Sequence, residues 1–325
     1  MLKVVGLFFI LFIGVGAMAQ FDTNYVYLTK DKFSLYPLAE SAVSTFFYDY
    51  YDANNNVTSI EYHTRQYNSI GIGASFYRFG FSLTFELPYT NIPELKEHNA
   101  FNFKGGYSYR RFFAELRIKK YSGVEETIEY PGNNGAVVNI RKDITITEYG
   151  GNMYFFLCKK FNFDANYKNY NLQKKSAISP FINVGIGNYS INGDFLLSDS
   201  SSQINQTIMT EIGSLSLHII PSFAATVVYR GFYFANMLGL GIGLNKNTIK
   251  YNDQNKYLYG VMPVFEWNST IGYSTKSYFV SLILSMESNR AKYNNSYLGT
   301  VYTLWSIKLG KKINIKYLGK IGPYL

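Results

Sequence analysis

Long apolar runs, histidine, cysteine and charge are all scarce in this 325-residue chain. Beyond the first twenty residues, no stretch approaches the roughly 20 consecutive apolar residues of a membrane-crossing helix, which excludes a helical membrane protein. The single cysteine, Cys158, excludes an internal disulfide framework, so stability must come from strand pairing. It sits in the turn-like run Leu157-Cys158-Lys159-Lys160-Phe161 with no histidine close in sequence, and reads as a small residue near a membrane interface, not as a nucleophile. There are only three histidines, His63, His98 and His218, and no His or Cys pair has metal-ligand spacing, so neither a metal nor a cofactor is expected. Charged residues reach only 16%, against roughly 25% in ordinary soluble domains.

Aromatic side chains are abundant: 31 Tyr and 26 Phe help to bring the aromatic share to 18%. Mean hydropathy nevertheless stays near zero, because Asn, Ser, Thr and Gly fill alternate positions. Between Phe79 and Leu87, the apolar Phe81, Leu83, Phe85 and Leu87 alternate with Ser82, Thr84 and Glu86. A period of two with different faces is a strand between an oily and a wet neighbour. Its repetition along the chain predicts an all-β fold, a transmembrane up-and-down antiparallel β-barrel with a greasy outside and aromatic girdles. A soluble barrel or sandwich alternates too, with the oily side turned inward.

The N-terminus has the grammar of an export signal: Lys3, an apolar run from Val4 to Val15, then Ala17-Met18-Ala19 before Gln20. We therefore expect a signal peptide over 1–19, cleaved between Ala19 and Gln20, an outer-membrane barrel over 20–325, and no lipid anchor. The net charge of +9 suits anionic headgroups, making outer-membrane lipid and lipopolysaccharide the expected partners. Nucleic acid is not expected, since no basic cluster rides on a helical pattern. Periplasmic chaperones and the barrel assembly machinery follow from the class. Oligomeric state is not encoded in any pattern here.

Short joints occur at Tyr77 to Gly80, Tyr109 to Phe112, Cys158 to Phe161, Ile191 to Asp194, Tyr229 to Gly231 and Tyr273 to Ser277. Longer polar connections alternate with them: Tyr89 to His98, Glu125 to Asp143, Ser198 to Gly213, Lys246 to Lys256 and Ser288 to Asn295. Short turns belong on the periplasmic rim and long loops outside. Six short turns with both chain ends on one side predict about fourteen strands. The count becomes twelve if Asn192-Gly193 lies in an external loop and a neighbouring strand is also misread. Val57 to His63 extends the strand that starts at Ser69, and the tip Pro131 to Gly135 crowns a projecting hairpin.

Parity then sorts the walls. Ile70, Ile72, Ala74, Phe76, Phe101, Phe103, Tyr107, Ala114, Leu116, Ile118, Phe163, Ala165, Tyr167, Tyr278, Val280, Leu282, Leu284 and Met286 are expected to face lipid. Glu86, Lys104, Arg110, Glu115, Arg117, Lys119, Glu148, Asp164, Lys168, Glu266 and Glu287 are expected to face the lumen. A Lys or Arg facing lipid at mid-depth costs roughly 2–4 kcal/mol, so this sorting is energetically enforced.

The run from Tyr67 to Pro88 (YNSIGIGASFYRFGFSLTFELP) and the stretch Tyr170-Asn171-Leu172-Gln173-Lys174-Lys175-Ser176-Ala177 leading into Phe181 to Ile191 resemble a Bacteroidota-type outer-membrane family catalogued as domain of unknown function 4421. The chain departs from it in carrying His63-Thr64-Arg65-Gln66-Tyr67-Asn68 where members often show Tyr-Arg-Pro-Asn, and in its basic tail after Leu309. The resemblance implies an outer-membrane barrel and supplies no activity or catalytic residues.

The chemistry expected is correspondingly spare. Gly71-Ile72-Gly73 and Gly239-Leu240-Gly241-Ile242-Gly243 lie in period-two strands with no following helix, so they cradle no phosphate. The inward charges either neutralise one another in a closed lumen or line a narrow, gated passage. The leading expectation is a non-enzymatic channel or transport barrel for small solutes or hydrophobic molecules. Its rivals are a plugged structural or adhesive barrel acting through external loops, and an interfacial lipid enzyme built on His98 near Glu97. Histidines standing away from every Ser and carboxylate would dismiss the enzyme.

Overall fold

The computed structural model describes residues 21–29, 31–51, 56–64, 67–87, 99–131, 135–197, 209–251, 254–293 and 296–314; the expected signal peptide, the cleavage residues Ala19 and Gln20, His98 and the end of the basic tail lie outside them. In chain order the strands are β1 (Val26–Tyr27), β2 (Lys32–Tyr51), β3 (Val57–His63), β4 (Tyr67–Phe76), β5 (Phe79–Glu86), β6 (Asn99–Tyr109), β7 (Phe112–Glu129) and β8 (Val137–Phe156). After a one-turn π-helix (Asp164–Lys168) come β9 (Leu172–Gln173), β10 (Ala177–Leu197), β11 (Met209–Tyr229), β12 (Phe232–Tyr251), β13 (Gln254–Ser274), β14 (Tyr278–Tyr293) and β15 (Ser296–Asn314).

All strands but β1 and β9 belong to one antiparallel sheet, and pairing of β15 with β2 closes it into a ring. Because β3 and β4 are two lengths of one strand, both paired to β2, the ring has twelve strands and not fourteen. Several expectations fail. The connections expected at Lys246 to Lys256 and Ser288 to Asn295 are strand in nearly all of their described residues, because β12 pairs with β13, and β14 with β15, out to their tips. Asn192-Gly193 does not reverse the chain: Asn192 pairs with Glu211 on one side and Thr145 on the other, and after a register shift β10 continues to Leu197, which pairs with Met209. The presumed strand at Asn162 to Tyr170 is instead a connection folded into the barrel mouth. Four expected joints do form turns on one rim. At three of them a residue takes positive φ: Tyr77 (54°), Arg110 (54°), and Arg230 (48°) with Gly231 (90°). Arg78, Arg110 and Arg230 each lie against a rim tyrosine there, at 4.3 Å from Tyr109, 5.0 Å from Tyr109 and 5.3 Å from Tyr229.

Strands β10, β11 and β13 each run 21 residues, about twice the 9–11 that a tilted strand needs to cross a bilayer. The surplus projects beyond the lipid, and the side-chain pattern changes there. On β10, Ile178, Pro180, Ile182, Val184 and Ile186 point outward, followed by Asn188, Ser190 and Asn192; the inward row passes from Ser179, Asn183 and Gly185 to Tyr189 and Ile191. On β8, inward Asn152 and Glu148 give way to Ile146 and Ile144, while outward Phe155, Met153 and Tyr149 give way to Thr147, Thr145 and Asp143. One end of the barrel is thus oily outside and polar inside; the other end is the reverse, as in a water-soluble barrel.

The ring also narrows. Hairpin β5–β6 stops short, and above it Ser59–His63 of β3 pairs directly with Glu125–Glu129 of β7, so ten strands encircle the projecting end. Fewer strands enclose a smaller bore. A bulge at Gly123 (φ 80°), where the β7–β8 register shifts between Ser122 and Val124, moves the inward row of β7 from odd to even positions. Lys119 and Tyr121 are inward below it, Val124 and Glu126 above. No L side chain with a β-carbon sits comfortably at that φ. The narrow end is filled by Phe46, Tyr62, Tyr121, Ile144, Ile146, Tyr189, Ile191, Leu196 and Met209, all nine-tenths buried or more.

Candidate functional site

The lumen of the twelve-stranded half holds the chemistry, and several of its charges form ion pairs. Arg117 on β7 reaches across the barrel to Glu287 on β14 with two parallel bonds, Nη1 to Oε1 at 2.5 Å and Nη2 to Oε2 at 3.0 Å. This fork-to-fork geometry is the strongest form of the pair. Lys119 Nζ donates to both oxygens of Glu148 at 3.1 and 3.3 Å, and lies 3.4 Å from the ring centre of Tyr302. Lys168 Nζ donates to Glu115 Oε2 at 3.2 Å, and Arg117 Nε stands 3.7 Å from Glu115 Oε1. Glu266 has no cation beside it; it accepts from Tyr154 at 3.0 Å, Asn183 at 2.7 Å and Asn268 at 3.0 Å.

Lys104, Glu115, Arg117, Lys119, Glu148, Glu266 and Glu287 stand on the inward parity of their strands, and Glu86 has the same parity at the end of β5. Asp164 and Lys168 do lie at the lumen, but on the π-helix rather than on a strand. Arg110 is a correction, because it belongs to the β6–β7 turn with left-handed backbone and not to the lumen. Phe163, Ala165 and Tyr167 are corrections too. They face inward, with Phe163 stacked 4.2 Å from Phe113 and 5.0 Å from Tyr167.

Sequence reasoning missed Glu40, Lys308 and Lys312. Glu40 accepts from Thr84 and Asn102, both at 3.2 Å, and faces Lys104 at 3.7 Å. Its signal was the inward row Tyr36, Leu38, Glu40, Ala42, in which Pro37 occupies an outward position. Lys308 donates to Tyr167 O at 3.4 Å, and Lys312 to Asn171 O, Thr275 O and Ser274 Oγ at 3.1–3.2 Å. Both lie on the inward parity of β15.

Residues 157–176 close the mouth of the barrel at the turn-rich rim. Asn162 Oδ1 caps Ala165 N at 2.7 Å, and Asn166 donates to Asn162 O at 2.9 Å and accepts from Thr226 at 3.1 Å. Asn169, in left-handed backbone at φ 60°, accepts from Tyr233 at 2.6 Å and donates to Ser281 at 2.9 Å. Carboxamides supply the partners that an irregular buried backbone lacks. β1 pairs with β9 beneath this plug, and Asp22 N donates to Lys159 O at 3.1 Å. Asp164 accepts from Ser108, and its burial pushes its carboxyl up to about 6.

Two cavities are stacked in the lumen. One of about 120 Å³ is lined by Asn152, Asn183, Ser216, His218 and Asn245, among others; one of about 90 Å³ by Glu40, Lys104, Glu115 and Lys168. Arg117, Glu287 and Tyr302 line both and separate them.

His218 Nε2 meets Asn152 Oδ1 at 3.2 Å. His63 faces outward between Thr45 Oγ1 (3.0 Å) and Glu61 Oε2 (2.9 Å), so the histidines do not all stand clear of a hydroxyl and a carboxylate. Thr45 and His63 are directly opposed in the ladder, and Thr45 is paired on its other side to Val301. Backbone N–H groups engaged on both sides offer no oxyanion site there. Among the described residues no group of three or more His, Cys, Asp or Glu side chains is placed to hold a metal ion.

No curated protein matches the chain. Among solved structures it is similar to the outer membrane protease OmpT from Escherichia coli, at 8% identity and a TM-score of 0.42, over 90% of this chain and 100% of that one. Residues 20–310 match the family described as domain of unknown function 4421, and the chain belongs to that family.

Proposed function

We propose that this protein is an outer-membrane barrel with a filled interior, non-enzymatic, serving as a surface platform whose narrow end presents its connections outside the cell. The observation that carries this reading is the apolar packing inside the ten-stranded end: Phe46 of β2 stacks across the bore on Tyr189 of β10 at 5.4 Å, and on its ladder partner Tyr62 at 6.2 Å. An ion pair or a plug can move aside for a solute, whereas emptying a packed aromatic core costs several kcal/mol per side chain. Export through a cleaved leader, followed by periplasmic chaperones and the barrel assembly machinery, fits this reading. Purified protein in planar bilayers should be electrically silent; stable open levels from the unaltered protein would contradict the platform.

One observation favours the channel reading for small solutes or hydrophobic molecules: the two polar cavities are separated by little more than the Arg117–Glu287 pair and Tyr302. In that case Glu287→Gln should raise the frequency of opening events above that of the unaltered protein.

A further inference from the structure

At the height where the outer wall turns from oily to polar, β14, β15 and β2 assemble a cationic face. Outward residues of β14 run Tyr278, Val280, Leu282 and Leu284 through the lipid belt, then Ser288, Arg290 and Lys292. Arg290 pairs across to Gly299 and Lys292 to Tyr297 on β15, which in turn oppose Phe47 and Asp49 on β2. Gly299 is needed for this layer. A β-carbon there would meet the Phe47 ring at 2.1 Å, so its absence lets the ring lie flat on the sheet. The Arg290 guanidinium then sits 5.4 Å from the centre of Phe47 and 4.6 Å from that of Tyr297. Lys292 approaches the same Tyr297 ring at 5.5 Å.

Two cations thus share one aromatic ring, and Asp49 balances one of them, bonded to Arg290 at 2.6 Å and to Ser59 at 2.7 Å. The Arg290 side chain is half exposed, so its remaining donors face outward. A second outward lysine, Lys246 of β12, lies 4.5 Å from Tyr257 and 5.9 Å from Tyr259 on β13. Arginine held flat between rings is pre-ordered for two-point recognition of a tetrahedral anion, and lysine adds a point charge beside it. Directly beneath, the belt offers apolar wall for acyl chains.

We propose that Arg290, Lys292, Tyr297 and Phe47 form a binding site for the phosphate of an outer-leaflet glycolipid of the lipid A type. This rests on the outer-membrane part of the reading above and is independent of whether the lumen conducts. The ligand must carry phosphate on a sugar whose acyl chains descend along β14 and β15; a phosphate without that body gains only the cations.

The test uses the full barrel in detergent micelles, titrated with bis-phosphorylated lipid A, dephosphorylated lipid A and phosphatidylglycerol, with inorganic phosphate as competitor. The variants are Arg290→Ala with Lys292→Ala, the size-preserving Arg290→Gln with Lys292→Gln, and Lys120→Ala, an exposed outward lysine on β7, as a remote control. Lipid A should bind at least ten-fold more weakly to both double variants and equally to Lys120→Ala. Dephosphorylated lipid A and phosphatidylglycerol should bind the unaltered protein at least ten-fold more weakly, and inorganic phosphate should not displace lipid A at equal concentration. Equal binding by the double variants, by dephosphorylated lipid A or by phosphatidylglycerol would overturn the site. Failure of the unaltered protein to enter liposomes at all would instead overturn the membrane reading.

Discussion

Arg117 and Glu287 are 170 residues apart and meet across the bore at 2.5 Å. Arg117 is buried and Glu287 partly so, and Glu115, 3.7 Å from Arg117 Nε, is already held by Lys168, so removing one partner leaves a charge beside a small cavity. We expect Arg117→Ala to cost roughly 3–5 kcal/mol, and Arg117→Met combined with Glu287→Met to cost less than that single change. Urea midpoints read from the fluorescence of Trp267 and Trp305 in micelles would show the order; a double variant weaker than Arg117→Ala would contradict it. At this scale the sequence was informative about side and silent about partner. Alternation shows that Arg117 must point inward, but nothing local says that β14 supplies its carboxylate.

The plug between β8 and β10 is the element whose nature was least legible. Phe163, Ala165 and Tyr167 alternate with Asp164, Asn166 and Lys168, which imitates a strand. In a lumen, however, every side of a short segment is enclosed, so apolar and polar side chains both find partners without a ladder: Phe163 on Phe113, Asn166 on Thr226, Lys168 on Glu115. At Asn192-Gly193 the ladders on both flanks run up to Asn192, and the local turn preference is spent on a register shift before Leu197 pairs with Met209, without reversing the chain. The lower lengths of β11 to β15 could be read directly from their alternation, whereas their polar upper ends read as loops because Asn, Lys and Ser take the outward positions there. Asp164 gives the plug a pH dependence. Its folded carboxyl titrates near 6, above the value near 3.9 of an unfolded aspartate. The folded state therefore binds the extra proton between those values, and stability falls as pH rises from 4 to about 6, where the penalty is complete. Asp164→Asn keeps a partner for Ser108 and removes the titration. Its melting temperature relative to the unaltered protein should rise between pH 4.5 and pH 7.5; a constant difference would contradict this.

For the molecule as a whole, the reversal of polarity along one continuous set of strands sets how deep the barrel sits. In the wide half Leu240 and Phe223 are exposed on the outer wall at 66% and 63%. In the narrow half the outer wall carries Asn192 and Lys250 and the apolar side chains are inside. One sorting rule, oily outside and charged inside, thus describes only the part within lipid, and its opposite describes the part in water. The turn-rich rim, the plug and the paired lumen charges lie at the lipid-embedded end. The apolar packing of the bore lies at the other.

The most direct measurement is cysteine labelling in a Cys158→Ser background, using a membrane-impermeant maleimide on the barrel inserted in membranes. Asn192→Cys and Lys250→Cys should react rapidly, and Leu240→Cys and Phe223→Cys should be protected until the membrane is dissolved. Labelling of all four at similar rates in intact membranes would place the whole outer wall in water and contradict the account.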